Sequence, residues 1–596
     1  MSNVQTAIER ARARLAELGA ARATQQQQIT DQLAERKTML VPTLKGWQID
    51  DSRDWNEQQQ SAIHSGLAGK SFVLIGAAGT GKTSCLKGLV NSLIKNSLLP
   101  IISSGYSTPN LPAGKPGILL CSFTNMAVRQ IAKHFSKDIN ICTIHKVLEF
   151  EPVYYEIANP DGTVSKTMRF EPQRNANRPL PNTLRTIIVD EASMPSIELI
   201  QQLVDALPQP DAVQWIFVGD LNQLPPVYGA AILGKKLLEL PIVELTQVYR
   251  QALLSPIITV ATDMKNGKLV PLSSTKQVID AKEHGKLTIH PWSAQLGWED
   301  ALTKAADFCK AAIMHEQLDV HQDMILCPYN VKFGVIELNS RIADWLGRQR
   351  DAKVYEIVAG FNTHYYALGD KVLVRKREAI ITGIQWNKSY YGKHPTNPEK
   401  FQLDRWGGAK KRESATAQTY EEELDDNIDA ILAQLSETTT VVEDRKTSSS
   451  HIIKVRYLNG TNPKNWKESD SLENCEEYEV ATLDTASAVN EMLFAYAITV
   501  HKSQGSEWRK VFITLHQSHA KMCYRELLYT AITRAREECY IICEPDRGIK
   551  IGTLSKAAKN PRLKGNTLAE KLASLKEKFD QEAAEKQRAA DEEEGE

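Results

Sequence analysis

The stretch "GAAGTGKTS", Gly76 to Ser84, constrains the fold of this chain more than any other. It matches G-x-x-x-x-G-K-[ST], follows the apolar run "SFVLI" and precedes the helical pattern "SCLKGLVNSLIK". A loop of this kind wraps backbone N–H groups around phosphates at a helix N-terminus, so it must join a strand to a helix. Lys82 is expected to reach the β- and γ-phosphates, and the Thr83 hydroxyl to hold Mg²⁺. The predicted phosphate-binding residues are Gly76, Ala77, Ala78, Gly79, Thr80, Gly81, Lys82, Thr83 and Ser84.

A pair of acids follows a second apolar run. In "RTIIVDEAS", Asp190 and Glu191 end a β-branched stretch that is typical of a buried strand. Such a strand delivers the acids to its carboxyl end, where Asp190 is placed to bind Mg²⁺ through water and Glu191 to polarise an attacking water. The second acid favours hydrolysis over transfer.

Strand-like runs alternate with helical stretches twice along the chain. The first set lies between about Trp55 and Asn266, and the second includes "DMILCPYN", "RKVFITL" and "ECYIICEP". This alternation is the signature of parallel sheets with crossover helices. Since 596 residues are too many for one hydrophobic core, two α/β cores are predicted.

Two insertions interrupt this plan. Residues 151–172 contain two alternating runs around Asn159-Pro-Asp-Gly162, which predicts a β-hairpin. Residues 356–484 begin and end with strand-like sequence and enclose polar, acidic sequence such as "TYEEELDDNID". This pattern predicts a small β-barrel carrying a flexible acidic lobe.

The ends of the chain and its charge indicate little about chemistry. Residues 1–40 show a short heptad stripe, which fits a helix packed on its own protein or a coiled coil with a partner. The terminal "DEEEGE" fits a solvated end or a docking site. A formal net charge of −1 requires any nucleic-acid site to be a local groove. With no apolar leader and no run of about 18 apolar residues, we expect no membrane contact and a cytoplasmic location. That cytoplasm is a bacterial one, either the protein's own or the host's if a phage encodes the protein.

Five further segments make the pattern specific. "DEAS" at 190–193, "GDLNQLPPV" at 219–227, "LTQVYR" at 245–250, "TVHKSQGSEW" at 499–508 and "LLYTAITRARE" at 527–537 follow one another along the chain. Together with "WNEQQQSA" before the phosphate loop, they resemble the motifs of superfamily 1 helicases of the RecD/Dda-like, Pif1-related branch. Residues 244–268 resemble the Dda type of this branch, from T-even bacteriophages, in particular. The resemblance covers about 50–375 and 485–545.

The resemblance implies ATP as the nucleotide and assigns roles around it. Gln59 would contact the adenine, and Gln223 would sense the γ-phosphate. Two arginine fingers would place fork-shaped positive charge against the phosphate oxygens from opposite cores. The residues implied to act in hydrolysis are Lys82, Glu191, Gln223, Arg250 and Arg534, with Gln504 and Gly505 added to the nucleotide site.

The resemblance also implies a nucleic-acid track, with contacts to the backbone rather than to the bases. His145 fits equally well as a structural histidine. The aromatic residues of the hairpin fit a strand-separating pin or packing of the hairpin on its own core. The implied backbone contacts are Thr124, Asn125, Thr143, His145, Thr499, His501 and Ser503, and the pin candidates are Tyr154, Tyr155 and Phe170.

The architecture implied by the resemblance is two RecA-like cores with a hairpin insert in the first and an SH3-like barrel in the second. The expected function is ATP-dependent, 5′-to-3′ unwinding of forked DNA by translocation on single strands in replication, recombination or repair, with a protein partner at the N-terminal helix or the acidic tail. An RNA-directed helicase and an ATP-switched DNA-binding protein stay open as alternatives. The expected divisions are 1–50, an N-terminal helical extension; 51–150 with 173–268, the first core; 151–172, the hairpin; 269–355 with 485–550, the second core; 356–484, the barrel; and 551–596, a C-terminal helix and tail.

Overall fold

The structure is a computed structural model, and it describes most of both α/β halves of the chain. Arg250, the hairpin turn, nearly all of the N-terminal extension and the acidic lobe lie outside the described residues. The described residues are 27, 28, 31, 47–100, 102–104, 108–110, 116–135, 139, 141–158, 164–225, 230–249, 254–266, 276–292, 296–360, 362–374, 377–390, 448–458, 480–545, 553–563 and 567–593.

The first half of the chain forms a parallel sheet covered by helices. Its helices are α1 (Glu57–Leu67), α2 (Lys82–Lys95), α3 (Asn125–Ala132), α4 (Ile144–Val147), α5 (Ile197–Asp205) and α6 (Ile232–Glu239). Its strands are β1 (Phe72–Gly76), β2 (Leu99–Pro100), β3 (Ile102–Ser104), β4 (Thr108–Asn110), β5 (Gly117–Ser122), β6 (Ile141–Thr143), β7 (Phe150–Ala158), β8 (Val164–Pro172), β9 (Leu184–Asp190), β10 (Gln214–Gly219) and β11 (Ile242–Leu245).

The strand order of this sheet is β11-β1-β10-β9-β5-β2, with β6 beside β5, and neighbouring strands run parallel. Both faces are buried, since Val73 and Leu74 of β1 belong to different apolar clusters. The order brings the carboxyl ends of β1, β9 and β10 side by side. The phosphate loop, the Asp190-Glu191 pair and the loop after Gly219 therefore meet at one edge.

The second half forms another parallel sheet and an antiparallel one. Its helices are α7 (Pro256–Lys265), α8 (Trp298–Met314), α9 (Val335–Gln349), α10 (Ala486–Asn490), α11 (Arg525–Ile532), α12 (Thr553–Lys559) and α13 (Leu568–Glu593). Its strands are β12 (Gln277–Asp280), β13 (Lys286–Pro291), β14 (Met324–Cys327), β15 (Val354–Ala359), β16 (Asn362–Ala367), β17 (Lys371–Val374), β18 (Arg377–Trp386), β19 (Ser448–Tyr457), β20 (Val480–Thr485), β21 (Leu493–Phe494), β22 (Ala497–Thr499), β23 (Trp508–Thr514) and β24 (Ala535–Cys543).

The sheet β12-β13-β24-β23-β14-β22 is parallel except for its edge strand β12, which pairs antiparallel with β13. The prediction of two parallel α/β cores is thus confirmed. Between β14 and β22 in sequence, β20-β19-β18-β17-β21 form an antiparallel sheet, and the β15-β16 pair shares its apolar cluster. In the first half, β7 and β8 pair antiparallel, with Tyr154 opposite Met168.

The C-terminal segment connects the two cores. α12 contributes Leu554 and Ala557 to the apolar cluster of the second core. α13 contributes Leu572 and Leu575 to a cluster of the first core, where they pack near α6. Within the described part of the chain, no helix combines the length and apolarity needed to cross a bilayer.

Candidate nucleotide and nucleic-acid sites

The phosphate loop has the backbone geometry that its glycines permit. Gly79 and Gly81 adopt φ values of 79° and 81°, in the left-handed region that strongly favours glycine. The Thr80 hydroxyl donates to the Ala77 carbonyl at 2.8 Å and closes the loop. Lys82 Nζ donates to the Gly76 carbonyl at 2.7 Å, so the ammonium group lies over the loop that it is predicted to serve.

Gln59 lies against this loop. It is fully buried, and its Oε1 accepts a hydrogen bond from the Tyr249 hydroxyl at 2.8 Å, while Tyr249 N donates to the Gly79 carbonyl at 3.2 Å. Gln59 Nε2 has no hydrogen-bond partner among the described residues. Tyr249 was not singled out from the sequence, although it stands beside Arg250 in "LTQVYR". A buried amide donor with no partner fits a ligand that brings an acceptor.

The two acids are half-buried neighbours whose surroundings disfavour negative charge. Burial, together with the neighbouring Glu191 carboxylate, raises the pKa of Asp190 to about 7. Burial also raises the pKa of Glu191, against the opposing effect of the Arg534 and Lys82 charges. Glu191 Oε2 has no partner in the described structure. Its φ of 51° is a strained backbone value for a non-glycine residue, of the kind found at functional sites.

Arg534 of the second core reaches this acid pair. Its guanidinium is held by the Thr530 and Ser506 carbonyls at 3.0 and 3.1 Å, and the residue is 5% exposed. Its charge lowers the pKa of Glu191, so the two groups are electrostatic neighbours across the cores. Gln223 is buried near the same place, and its Oε1 lacks a partner among described residues.

A hydrogen-bonded connection between the cores was missed at the sequence level. The Tyr529 hydroxyl of α11 accepts from the Ala78 amide of the phosphate loop at 2.8 Å. The same hydroxyl donates to Asp220 Oδ2 at 2.8 Å. Burial raises the pKa of Tyr529 well above its ordinary value, so the hydroxyl keeps the proton that it donates. The only available signal was the position of Tyr529 within "LLYTAITRARE".

The loop after Gly219 is clamped by the second core as well. The Leu224 amide donates to Thr530 Oγ1 at 3.1 Å, and Gln504 Nε2 donates to the Leu224 carbonyl at 2.7 Å. Leu224 itself is fully buried in the apolar cluster of the second core. Gln504 is implied to be a nucleotide contact, and in the structure its side-chain amide donates to the loop after Gly219.

Three of the implied nucleic-acid contacts cap helices or turns. Thr124 and Thr143 accept from the Ala127 and Lys146 amides at 3.1 and 3.2 Å. Thr499 accepts from the Lys502 amide at 3.3 Å. A hydroxyl that accepts an amide proton still has its own proton to donate, so each remains able to bond a phosphate oxygen.

The remaining implied contacts differ in their surroundings. Asn125 is exposed, whereas His145 is half-buried between the rings of Phe123 and Phe150, at centroid distances of 5.5 and 4.9 Å. Burial lowers the pKa of His501 to about 4, so this residue is neutral near pH 7.

Ser503 does not fit its implied role in this conformation. It is fully buried, and its hydroxyl donates to the Val500 carbonyl at 2.7 Å, which supports the turn rather than a ligand.

The two implied contact sets, from separate cores, meet at Gly505. A Cβ atom added there would lie 2.8 Å from Ala127 Cβ and 3.1 Å from Ala127 N. The turn that contains Thr499 and His501 therefore packs directly on the N-terminal turn of α3, beside Thr124. In the hairpin, Phe170 is 60% exposed. The side chains of Tyr154 and Tyr155 lie outside what the structure describes.

Comparison with protein families locates two matches on these cores. Residues 59–229 match the AAA domain family, and residues 494–542 match the UvrD-like helicase C-terminal domain. The first match contains the phosphate loop, the acid pair and Gln223, and the second contains Arg534. The two matches therefore supply opposite sides of the site described above.

Two curated relatives match the chain over different lengths. The ATP-dependent RecD2 DNA helicase of Deinococcus radiodurans is 24% identical over 514 residues, covering 85% of this chain and 52% of its own length. The ATP-dependent DNA helicase dda of Enterobacteria phage T4 is 30% identical over 202 residues, covering 32% of this chain and 37% of its own length. The chain thus spans about half the length of the first relative and less of the second.

Among solved structures, Pif1 helicase from Candida albicans is 14% identical, covering 85% of this chain and 97% of its own, with a TM-score of 0.41. A Bacteroides Pif1 in complex with ADP-AlF3 and single-stranded DNA is 17% identical, covering 85% and 94%, with a TM-score of 0.40. The family matches and curated relatives agree with the ordered motifs. By its family matches, its curated relatives and the order of its motifs, the chain is similar to DNA helicases of the RecD and Dda type.

Proposed function

We propose that this protein is an ATP-dependent DNA helicase that translocates on single-stranded DNA. The observation that carries the proposal is the site shared by the two cores, in which Tyr529 of the second core accepts from the Ala78 amide of the phosphate loop and donates to Asp220. The charge of Arg534 adds to this, because it lowers the pKa of Glu191 from the second core. A site assembled from both cores makes hydrolysis depend on how the cores are arranged, which a motor requires.

The residues present fit ATP and Mg²⁺. Three buried polar atoms without partners in the described residues, Gln59 Nε2, Glu191 Oε2 and Gln223 Oε1, belong to the set predicted to surround the nucleotide. Bound Mg²⁺ would supply positive charge that stabilises the phosphate oxygens and lowers the pKa of Asp190. Lys82 and the loop amides would hold the phosphates, and Thr83 and Asp190 would hold the ion.

Within this proposal, the acids have separate tasks. Glu191 orients a water and accepts its proton, and Gln223 donates to the terminal phosphate. Arg534 and Arg250 place positive charge against the phosphate oxygens, which is worth several orders of magnitude in phosphoryl transfer. Arg534 is supported by the effect of its charge on the pKa of Glu191, whereas Arg250 rests on the motif alone.

The proposed DNA track runs where the 499–505 turn meets α3. Thr124, Asn125, Thr143 and Thr499 offer short polar groups there, which suit phosphate oxygens and ignore base identity. The RecD2 and Dda relatives are named DNA helicases, which favours DNA as the substrate. The 5′-to-3′ direction rests on the same family.

The two inserted elements complete the proposal. The antiparallel sheet within 371–494 is assigned as an SH3-like barrel inserted in a RecA-like second core, since its strands share one apolar cluster with the β15-β16 pair. The β7-β8 hairpin is assigned as the pin, because it projects an exposed Phe170 from a core whose other large apolar groups are mostly buried. A rigid apolar obstacle at the fork keeps separated strands from re-annealing.

The test is an unwinding assay on matched DNA and RNA duplexes that carry a 5′ or a 3′ single-stranded tail. We expect ATP-dependent unwinding of the 5′-tailed DNA only. Glu191→Gln is the matched control, because its amide still bonds the water but cannot accept the proton, so it should bind ATP without turnover. Unwinding of the RNA duplexes, or DNA-stimulated hydrolysis with no unwinding of any duplex, would instead support one of the two alternatives.

A further inference from the structure

The C-terminal helix α13 reaches the hydrolysis site from outside the region that resembles known helicases. Its apolar residues Leu572 and Leu575 pack on the first core. Lys571, next to Leu572 on the helix, is 7% exposed although it carries an ammonium group. A buried ammonium is costly unless it is hydrogen-bonded and near opposite charge. Apolar residues already dock this helix, so Lys571 calls for a reason other than docking.

Lys571 Nζ donates to Asn222 Oδ1 in the loop after Gly219. The Asn222 amide group and backbone N–H both donate to Asp220 Oδ1, at 2.8 and 2.9 Å. Asp220 Oδ2 accepts from the Tyr529 hydroxyl at 2.8 Å. The next contact in this series is the Ala78 amide of the phosphate loop, which donates to Tyr529 at 2.8 Å.

These bonds form one continuous path from α13 to the nucleotide site. All of its side chains are buried, with exposures from 1% for Asp220 to 8% for Asn222. The path also fixes the orientation of Asn222: because Oδ1 accepts from Lys571, Nδ2 must face Asp220. Gln223, the next residue, has its amide tied to the Asp220 carbonyl at 3.2 Å, so its backbone position depends on the same loop.

We propose that Lys571 is a positioning residue for hydrolysis, which holds Asn222 and thereby sets Gln223 against the terminal phosphate. This inference rests on the proposed function. It assigns a catalytic task to a helix that lies beyond both family matches. α13 follows α12, which packs on the second core. One continuous C-terminal segment therefore contacts the second core and also bonds the loop after Gly219 in the first core.

The charges around Lys571 agree with an ammonium that is not fully paired. Burial lowers its pKa, Lys265 and Arg525 lower it further, and Asp220 and Glu526 oppose them. Its direct partner is a neutral amide oxygen rather than a carboxylate. The lysine therefore bonds Asn222 rather than Asp220, whose Oδ2 accepts from the Tyr529 hydroxyl.

The test compares Lys571→Met with Lys578→Met in the full-length protein. Lys578 lies on the same helix, its side chain is 53% exposed, and its ion pair with Glu582 lies on the surface. The measurements are kcat and KM for ATP in hydrolysis stimulated by single-stranded DNA, with thermal unfolding of each variant. We expect kcat of Lys571→Met to fall about tenfold, or about 1.4 kcal/mol, with KM within about twofold of the parent. Lys578→Met should match the parent in both.

A double-mutant cycle separates positioning from helix docking. If Lys571 acts through Asn222, Asn222→Ala should lower kcat by itself, and adding Lys571→Met should have little further effect. Equal losses in both backgrounds would overturn the inference, as would a Lys571→Met variant with parental kcat. If Lys571→Met does not fold, a parental kcat in Asn222→Ala alone overturns it. A parent protein with no DNA-stimulated hydrolysis would instead refute the proposed function.

Discussion

Gly505→Ala tests whether the contact between the two cores governs activity. Gly505 has a φ of 74°, and an added Cβ would lie 2.8 Å from Ala127 Cβ and 3.1 Å from Ala127 N and Cα. A left-handed alanine costs about 1–2 kcal/mol, and forcing a methyl group into a packed contact costs about 1–3 kcal/mol more. Two of the three clashing atoms are backbone, so they cannot move away as a flexible side chain would.

Gly69→Ala is the matched control. Gly69 has a φ of 72°, and nothing lies within 4 Å of its added Cβ. Both variants therefore carry the backbone cost, but only Gly505→Ala separates the cores. The difference between the two variants, about 1–3 kcal/mol, corresponds to a roughly 5- to 150-fold decrease in the population in which the two cores are in contact at residue 505.

The assay is hydrolysis of ATP with and without single-stranded DNA, together with binding of a fluorescent oligonucleotide. We expect Gly505→Ala to lose stimulation by DNA and to bind the oligonucleotide more weakly, because the two contact sets meet at this glycine. Gly69→Ala should keep both properties and lose only stability. Equal stimulation in the two variants would refute the reasoning, since the core contact would then have no influence on turnover.

Three further outcomes are expected. Lys82→Ala should abolish hydrolysis with the circular dichroism spectrum unchanged, because the Lys82 ammonium donates to the Gly76 and Ala77 carbonyls of its own loop; parental hydrolysis would refute the nucleotide site. Asp190 has a pKa of about 7 in the folded protein and about 4 in the unfolded chain, so the stability of the ligand-free protein should fall as the pH rises between these values. Asp190→Asn removes this ionisation and should raise Tm at pH 8 by at least about 2 °C. An unchanged Tm would contradict a destabilising charge at Asp190. Replacing 153–170 by a short Gly-Ser turn should spare DNA-stimulated hydrolysis but slow unwinding, in which each base-pair step costs about 1.4 kcal/mol; unwinding at the parental rate would place strand separation elsewhere.

Local patterns were enough to predict the parts of the site that a single segment builds. The phosphate loop needs its glycines, Lys82 and a strand-to-helix junction, all within a few residues. The acids at the end of β9 follow from an apolar run that ends in two carboxylates. The two parallel sheets follow from the alternation of strand and helix patterns, because parallel strands need crossover connections.

The C-terminal helix shows where local patterns stop being informative. The spacing of Leu568, Leu572, Leu575 and Phe579 predicts an apolar helical stripe, and the structure has a helix there. That stripe does not specify which core it covers. Only the tertiary structure places it on the first core, after α12 has packed on the second.

The contacts that join the two cores were decided by the tertiary structure alone. Ala78 and Tyr529 are 451 residues apart in sequence, and Asn222 and Lys571 are 349 apart. No periodicity or spacing relates residues at such separations, because their meeting depends on how two independently patterned sheets pack together. The sequence by itself determined which chemical groups this protein carries and on which local elements they stand. The packing of the cores determined which of those groups form hydrogen bonds or interact electrostatically with one another.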